Sequence, residues 1–125
     1  MDSYGKEIII DLVDCKSDTF TRGSIKGYCI KLCELIDMDR CDLHFWDYRG
    51  YPEEYEEAPD HLKGTSAVQF IKTSNITIHT LDVLKSVFLN VFSCKDFDSN
   101  TVIEFSEGWF GGTCLDSHLV QRGKV

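Results

Sequence analysis

The 125-residue chain is short of basic residues, of long apolar runs and of proline. Thirteen Lys and Arg against 21 Asp and Glu leave a net charge of −8. That balance excludes the counterion-release mode of nucleic-acid binding, which needs clustered cations, and disfavours an anionic membrane surface. No apolar run approaches the roughly 20 residues of a membrane span. Asp2 and Glu7 stand where a secretory signal would be basic and then apolar. Cys-x-x-Cys does not occur, and no Cys or His pair falls at zinc-finger spacing, so neither a metal nor a redox pair is expected. What is present is enough for one core: 42% of the residues are hydrophobic, among them eight Phe and five Tyr. A small, soluble, acidic, cytoplasmic domain spanning residues 1–125 is expected. Its six cysteines (15, 29, 33, 41, 94 and 114) are expected to be reduced, several of them filling core positions.

Periodicity places six strands and two helices. Glu7 to Asp14 is β-branched and reads as a strand. From Ser24, taken as the N-cap, to Met38, residues Ile25, Tyr28, Cys29, Leu32, Leu35 and Ile36 recur at helical spacing. Cys41–Trp46, Ser66–Lys72 and Asn75–Thr80 read as strands. In Ser86–Cys94, Val87, Leu89 and Val91 alternate with Phe88, Asn90 and Phe92. A helix over Asn100–Trp109, stopped by Gly111-Gly112, precedes a closing strand over Thr113–Gln121. Between Asp47 and Lys63 lie both prolines and five carboxylates, which predict a long acidic loop. The expected fold class is α+β, a two-layer sandwich with an antiparallel sheet and helices on one face.

One short segment concentrates chemistry: Lys72-Thr-Ser-Asn-Ile-Thr-Ile-His-Thr80. By itself it is a turn serine and a strand histidine, and no Gly-x-Ser-x-Gly elbow surrounds Ser74. The segment resembles the self-cleavage site of the prokaryotic S-adenosylmethionine decarboxylases, Glu-Ser-His-x-x-Ile-His-Thr. Ser74 matches the serine that becomes a pyruvoyl group, His79 the processing histidine, and Cys94, in Val91-Phe-Ser-Cys94, the catalytic cysteine. Ser66, in Gly64-Thr-Ser-Ala-Val68, resembles a serine that assists processing. Gly5-Lys-Glu-Ile-Ile-Ile-Asp-Leu-Val-Asp-Cys15 is similar to the family's opening strand.

The resemblance implies a pyruvoyl-dependent carboxy-lyase of polyamine biosynthesis that makes its own electron sink and needs neither metal nor pyridoxal phosphate. Ser74 would attack the Thr73 carbonyl, with proton transfer by His79 and help from Ser66, and β-elimination would leave chains 1–73 and 74–125. The new ketone would hold the substrate's amine as a Schiff base, with Cys94 as general acid. Phe45, Trp46, Tyr48, Arg49, Asn75 and Asp82 are the implied substrate-side residues, and a homodimer is implied. The sequence departs from the family at Thr73 and Asn75, which replace Glu and His, and at Leu81-Asp82-Val83, which replaces Trp-Pro-Glu. Two alternatives therefore stand beside S-adenosylmethionine as substrate. One is another amine, such as arginine or ornithine; the other is an unprocessed homologue serving as a binding or regulatory subunit.

Overall fold

A computed structural model describes residues 3–124; Asp2, part of the N-terminal reading above, lies outside them. Six strands form one sheet: β1 (Ser3–Val13), β2 (Arg40–Trp46), β3 (Gly64–Ile71), β4 (Ser74–Leu81), β5 (Ser86–Ser93) and β6 (Thr113–Lys124). Their order is β2-β3-β4-β5-β1-β6, and every neighbouring pair is antiparallel. Helices α1 (Arg22–Leu35) and α3 (Ser99–Phe110) cover one face. The expected two-layer α+β sandwich is what forms.

The core lies between those layers because alternation on the strands and helical spacing on α1 aim apolar side chains at one another. Ile8, Ile10, Leu12, Ile76, Ile78, Val87, Leu89 and Val91 meet Ile25, Tyr28, Cys29, Leu32 and Cys33 of α1 and Val102 and Phe110 of α3, all of them buried. Leu35, expected on the apolar stripe, is exposed at the helix end. The helix also begins earlier than expected. Thr21 is its N-cap, its hydroxyl accepting from the Ser24 N–H at 3.2 Å, while Ser24 Oγ accepts from Trp109 Nε1 at 3.2 Å and ties α1 to α3. Asp98 caps α3, and Gly111, at φ 68°, ends it in the left-handed region that glycine adopts without a Cβ penalty.

Polar atoms inside the sandwich are paired. Gln69 is fully buried beneath a register irregularity in β2, where Cys41 and Asp42 carbonyls are left without ladder partners. Its amide donates to both, at 3.0 and 3.3 Å, and its Oε1 accepts from Arg40 Nε at 2.8 Å.

The segment from Asp47 to Lys63 is more ordered than its composition suggests. It contains a short helix α2 (Pro52–Glu57) and a 3-10 turn over Asp60–Leu62. Pro52 sits in the first turn, where its missing N–H costs nothing, and Glu53 and Glu54 lie at the positive end of the helix dipole. The segment's base is anchored by Arg22, whose Nε and Nη2 donate to Asp47 at 2.7 and 2.8 Å and hold that carboxyl below the usual aspartate range.

Among the described residues no helix packs on the second face of the sheet. Registers align Trp46, Ser66, His79, Phe88 and Asp11 in one row across it, and Phe70, Asn75, Phe92 and Glu7 in another. Trp46, at 62% exposure, Phe70 and Phe88 stand open on this face.

Candidate active site

A two-residue turn at Lys72-Thr73 joins β3 to β4, with Ile71 opposite Ser74. Ser66 and His79 each lie five residues back from that closing pair, so antiparallel pairing sets them directly opposite each other. Ser66 Oγ and His79 Nδ1 are 2.8 Å apart on the open face. The β4–β5 hairpin performs the same service at the other end. Its register, Asn75 opposite Phe92, brings Ser74 against the chain at Ser93-Cys94. Cys94 N–H donates to Ser74 Oγ at 3.2 Å, and the two side chains are 3.8 Å apart at Oγ and Sγ.

Thr73 holds the turn in an unusual conformation. Its φ is 53°, the left-handed region that a β-branched residue rarely enters and that stores on the order of 1–3 kcal/mol. Its hydroxyl donates to the Lys72 carbonyl at 2.7 Å and lies 3.2 Å from Cys94 Sγ. Strain is thus placed on the residue whose carbonyl precedes Ser74.

Hydroxyls surround the Cys94 thiol. Thr73 foremost, then Ser74, with Tyr4 contributing, hold its pKa below the ordinary thiol value. The core thiols go the other way: burial pushes Cys15 and Cys33 up to about 11 and Cys29 up to about 12, which keeps them protonated and inert. Tyr4 stacks on Phe92 at 6.4 Å. Gly5 lets β1 pass this close, since a Cβ there would strike the Ser93 carbonyl and Cys94 Cα. The loop that follows Cys94 is pinned on both sides. Lys95 Nζ reaches Asp37 Oδ2 and its carbonyl at 2.6 and 2.7 Å, and Lys6 pairs with Asp96 at 2.8 Å. A cavity of about 210 Å³ opens beside Ser74 and Cys94, lined also by Met38, Ile71 and Lys72.

Ser66 and His79 border a second, larger cavity of about 410 Å³ with Trp46, Tyr48, His61, Leu62 and Leu81. Of the substrate-side residues, Trp46 and Tyr48 stand in its wall, their rings 5.2 Å apart at 67°. Phe45 points the other way, packing on the core beneath the Arg22 guanidinium at 5.3 Å. Arg49 is exposed, its N–H donating to Asp47 at 3.0 Å. Asn75 sits on the open face beside Ser74, and the Asp82 carboxylate accepts from the Tyr55 hydroxyl at 2.8 Å.

The structure therefore joins Ser74 to Cys94 and Thr73, and Ser66 to His79, but leaves the two groups apart. Five residues along one strand is about 17 Å, and an odd separation turns the side chains to opposite faces. Ser74, at 8% exposure, heads the strand on the helix-covered side, whereas His79 stands on the open side. Sequence reasoning missed two neighbours of these groups, Tyr4 and His61. The first depends on β1 pairing with β5, which adjacency in sequence does not reveal; the second depends on the 3-10 turn. Among the described residues no cluster of three or more His, Cys, Asp or Glu is arranged to hold a metal, and no helix is long and apolar enough to cross a membrane.

At one end of the helix-covered antiparallel sheet, the strained Thr73-Ser74 turn is thus set against the Cys94 thiol. The family model described as S-adenosylmethionine decarboxylase matches residues 6–123, and the chain belongs to that family. The fold is similar to the crystal structure of the adenosylmethionine decarboxylase from Aquifex aeolicus, with a TM-score of 0.77 at 17% identity, covering 100% of this chain and 95% of that one. No curated protein sequence matches.

Proposed function

We propose that the protein is a pyruvoyl-dependent S-adenosylmethionine decarboxylase that cuts itself between Thr73 and Ser74. The observation that carries this reading is the contact of Ser74 with Cys94 and with a strained Thr73, at the junction that the family motif marks. Attack of Ser74 Oγ on the Thr73 carbonyl carbon replaces the peptide C–N bond by an ester and frees the Ser74 amine. Removal of the Ser74 Cα proton then expels the Thr73 carboxylate, leaving chain 1–73. Water enters and ammonia leaves at position 74, which becomes the keto terminus of chain 74–125. The 210 Å³ cavity and the Cys94 N–H, thiol and neighbouring hydroxyls fit such a group. Once formed, it supplies an electron sink for a substrate amine. Cys94 is the proton donor: hydroxyls that stabilise its anion make the thiol surrender its proton more readily.

His79 cannot serve Ser74 of its own chain, so the reading requires a second copy. A half-turn about an axis across the strands, in the plane of the open face, lays one sheet on another about 10 Å away. It brings the Ser66/His79 end of each chain to the Ser74/Cys94 end of its partner, giving two equivalent sites. The sheet ends there at the Lys72-Thr73 turn, and Ser74 is approached past that end rather than through the sheet. The exposed Trp46, Phe70 and Phe88 would then be covered. The cavity bearing Trp46 and Tyr48 supplies the substrate wall in this arrangement.

Release of labelled carbon dioxide from carboxyl-labelled S-adenosylmethionine tests the function. Release from it, and not from arginine or ornithine, is the expected result; no release from a chain that has split contradicts the substrate. A second test reads Cys94. In a His79→Ala chain, held whole, alkylation of Cys94 by iodoacetamide is expected to have its pH midpoint below that of an ordinary exposed thiol. Adding Thr73→Val removes the foremost hydroxyl and should move that midpoint upward, as read by peptide mass. An unmoved midpoint would show that Thr73 does not govern the thiol.

A further inference from the structure

The chemistry above uses the Asp47–Lys63 segment only through Tyr48 and its neighbours in the cavity wall and gives α2 no role, yet the hold of α2 on the sheet is specific. No residue of α2 is buried, and Tyr55 is the side chain that carries its packing. The Tyr55 ring meets Tyr48 edge-on at 5.4 Å and 73°, and Lys63 Nζ lies 5.3 Å from its centroid. Its hydroxyl donates to Asp82 Oδ2 at 2.8 Å, just past the end of β4. Asp82 returns the contact, its N–H donating to the Lys63 carbonyl at 2.9 Å, while the Tyr48 hydroxyl donates to the Leu62 carbonyl at 2.8 Å. Tyr48 and Leu62 are walls of the 410 Å³ cavity beside Ser66 and His79, whereas Tyr55 and Asp82 stand behind them.

We propose that Tyr55 and Asp82 form a latch that holds residues 52–62 closed along this cavity and thereby sets how tightly substrate is bound. The inference rests on the functional reading above for its ligand, but the latch itself is a property of the fold. An unlatched segment spends part of its time away from Tyr48. The binding-competent fraction then falls, and apparent affinity falls with it, while the reacting groups at Ser74, Cys94 and His79 are untouched. The latch also withstands alkaline pH. Its bond to Asp82, with partial burial, pushes the Tyr55 phenol up to about 12, so the hydroxyl remains a donor below that.

Tyr55→Phe keeps the ring contacts with Tyr48 and Lys63 and removes the hydroxyl alone. The expected result is a KM for S-adenosylmethionine raised about tenfold, with kcat within about twofold of the parent and self-cleavage unchanged, as for any loss of pre-organisation. Hydrogen exchange at the backbone amides of residues 52–62 should speed by a similar factor. Asp82→Asn keeps an acceptor oxygen and should give a smaller change in both, about threefold. An unchanged KM with unchanged exchange overturns the latch. A fall in kcat at constant KM overturns it too, because it makes Tyr55 part of the reaction. Should the parent protein release no carbon dioxide, the functional reading fails while the exchange measurement still decides the latch: faster exchange in Tyr55→Phe supports it and equal exchange overturns it.

Discussion

Ser74→Ala is expected to leave the chain whole and to reduce carbon dioxide release to the uncatalysed background. The substitution removes one oxygen, yet two functions depend on that atom. It is the nucleophile that exchanges the Thr73 peptide bond for an ester, and it is the atom that leaves with the Thr73 carboxylate in the elimination that opens the way to the keto terminus. Alanine has no hydroxyl to attack with and no leaving group to eliminate, so neither step can begin. The structural cost is small, because Ser74 Oγ accepts one hydrogen bond from Cys94 N–H at the margin of the sheet. Leaving that donor without its partner costs about 1–3 kcal/mol at most. Folding is therefore expected to survive while chemistry is lost, and circular dichroism with a urea titration separates the two. A Ser74→Ala chain that still splits after residue 73 would place the nucleophile elsewhere.

The second large effect concerns the distance between Ser74 and His79. His79→Ala alone should slow splitting by about 10²–10⁴-fold, the usual worth of a positioned acid–base group. Co-expressing His79→Ala chains with Ser74→Ala chains should restore it. In a mixed dimer one site has lost both groups, and the other combines Ser74 of the first chain with His79 of the second. Random mixing puts about half of the His79→Ala chains into such dimers, so about half of them should split and no Ser74→Ala chain should. A mass tag on one of the two reads the outcome. Absence of any restored splitting would mean that the imidazole acts within its own chain, against the strand geometry, or does not act at all.

Much of this arrangement could be read from residue order. The alternation in Ser86–Cys94 set Val87, Leu89 and Val91 on one side and Phe88, Asn90 and Phe92 on the other, and the structure buries the first set. The offsets of Ser66 and His79 from the turn made their pairing a matter of counting, once β3 and β4 were taken as a hairpin. The pairing of Ser74 with His79 in one step took no account of their odd separation along β4, which puts them on opposite faces. Other features were hidden for physical reasons. Tyr4 and Gly5 reach Cys94 through a pairing of the first strand with the fifth, a non-local contact that no local pattern encodes. Proline and a run of carboxylates argued for a loop at residues 47–63. Pro52 instead begins a helix, and the order of the segment comes from Tyr55, Tyr48 and Asp82, which only tertiary structure brings together. Phe45 and Trp46 are adjacent in an aromatic stretch, yet alternation sends the first to the core and the second to the cavity.

The intact mass of the purified wild-type protein, taken after prolonged incubation, bears most directly on the account. Two polypeptides are expected, residues 1–73 and residues 74–125 with a keto terminus, together weighing the parent chain plus water minus ammonia. A single species at the parent mass, still carrying serine at position 74, would contradict self-processing and leave a non-catalytic member of the family.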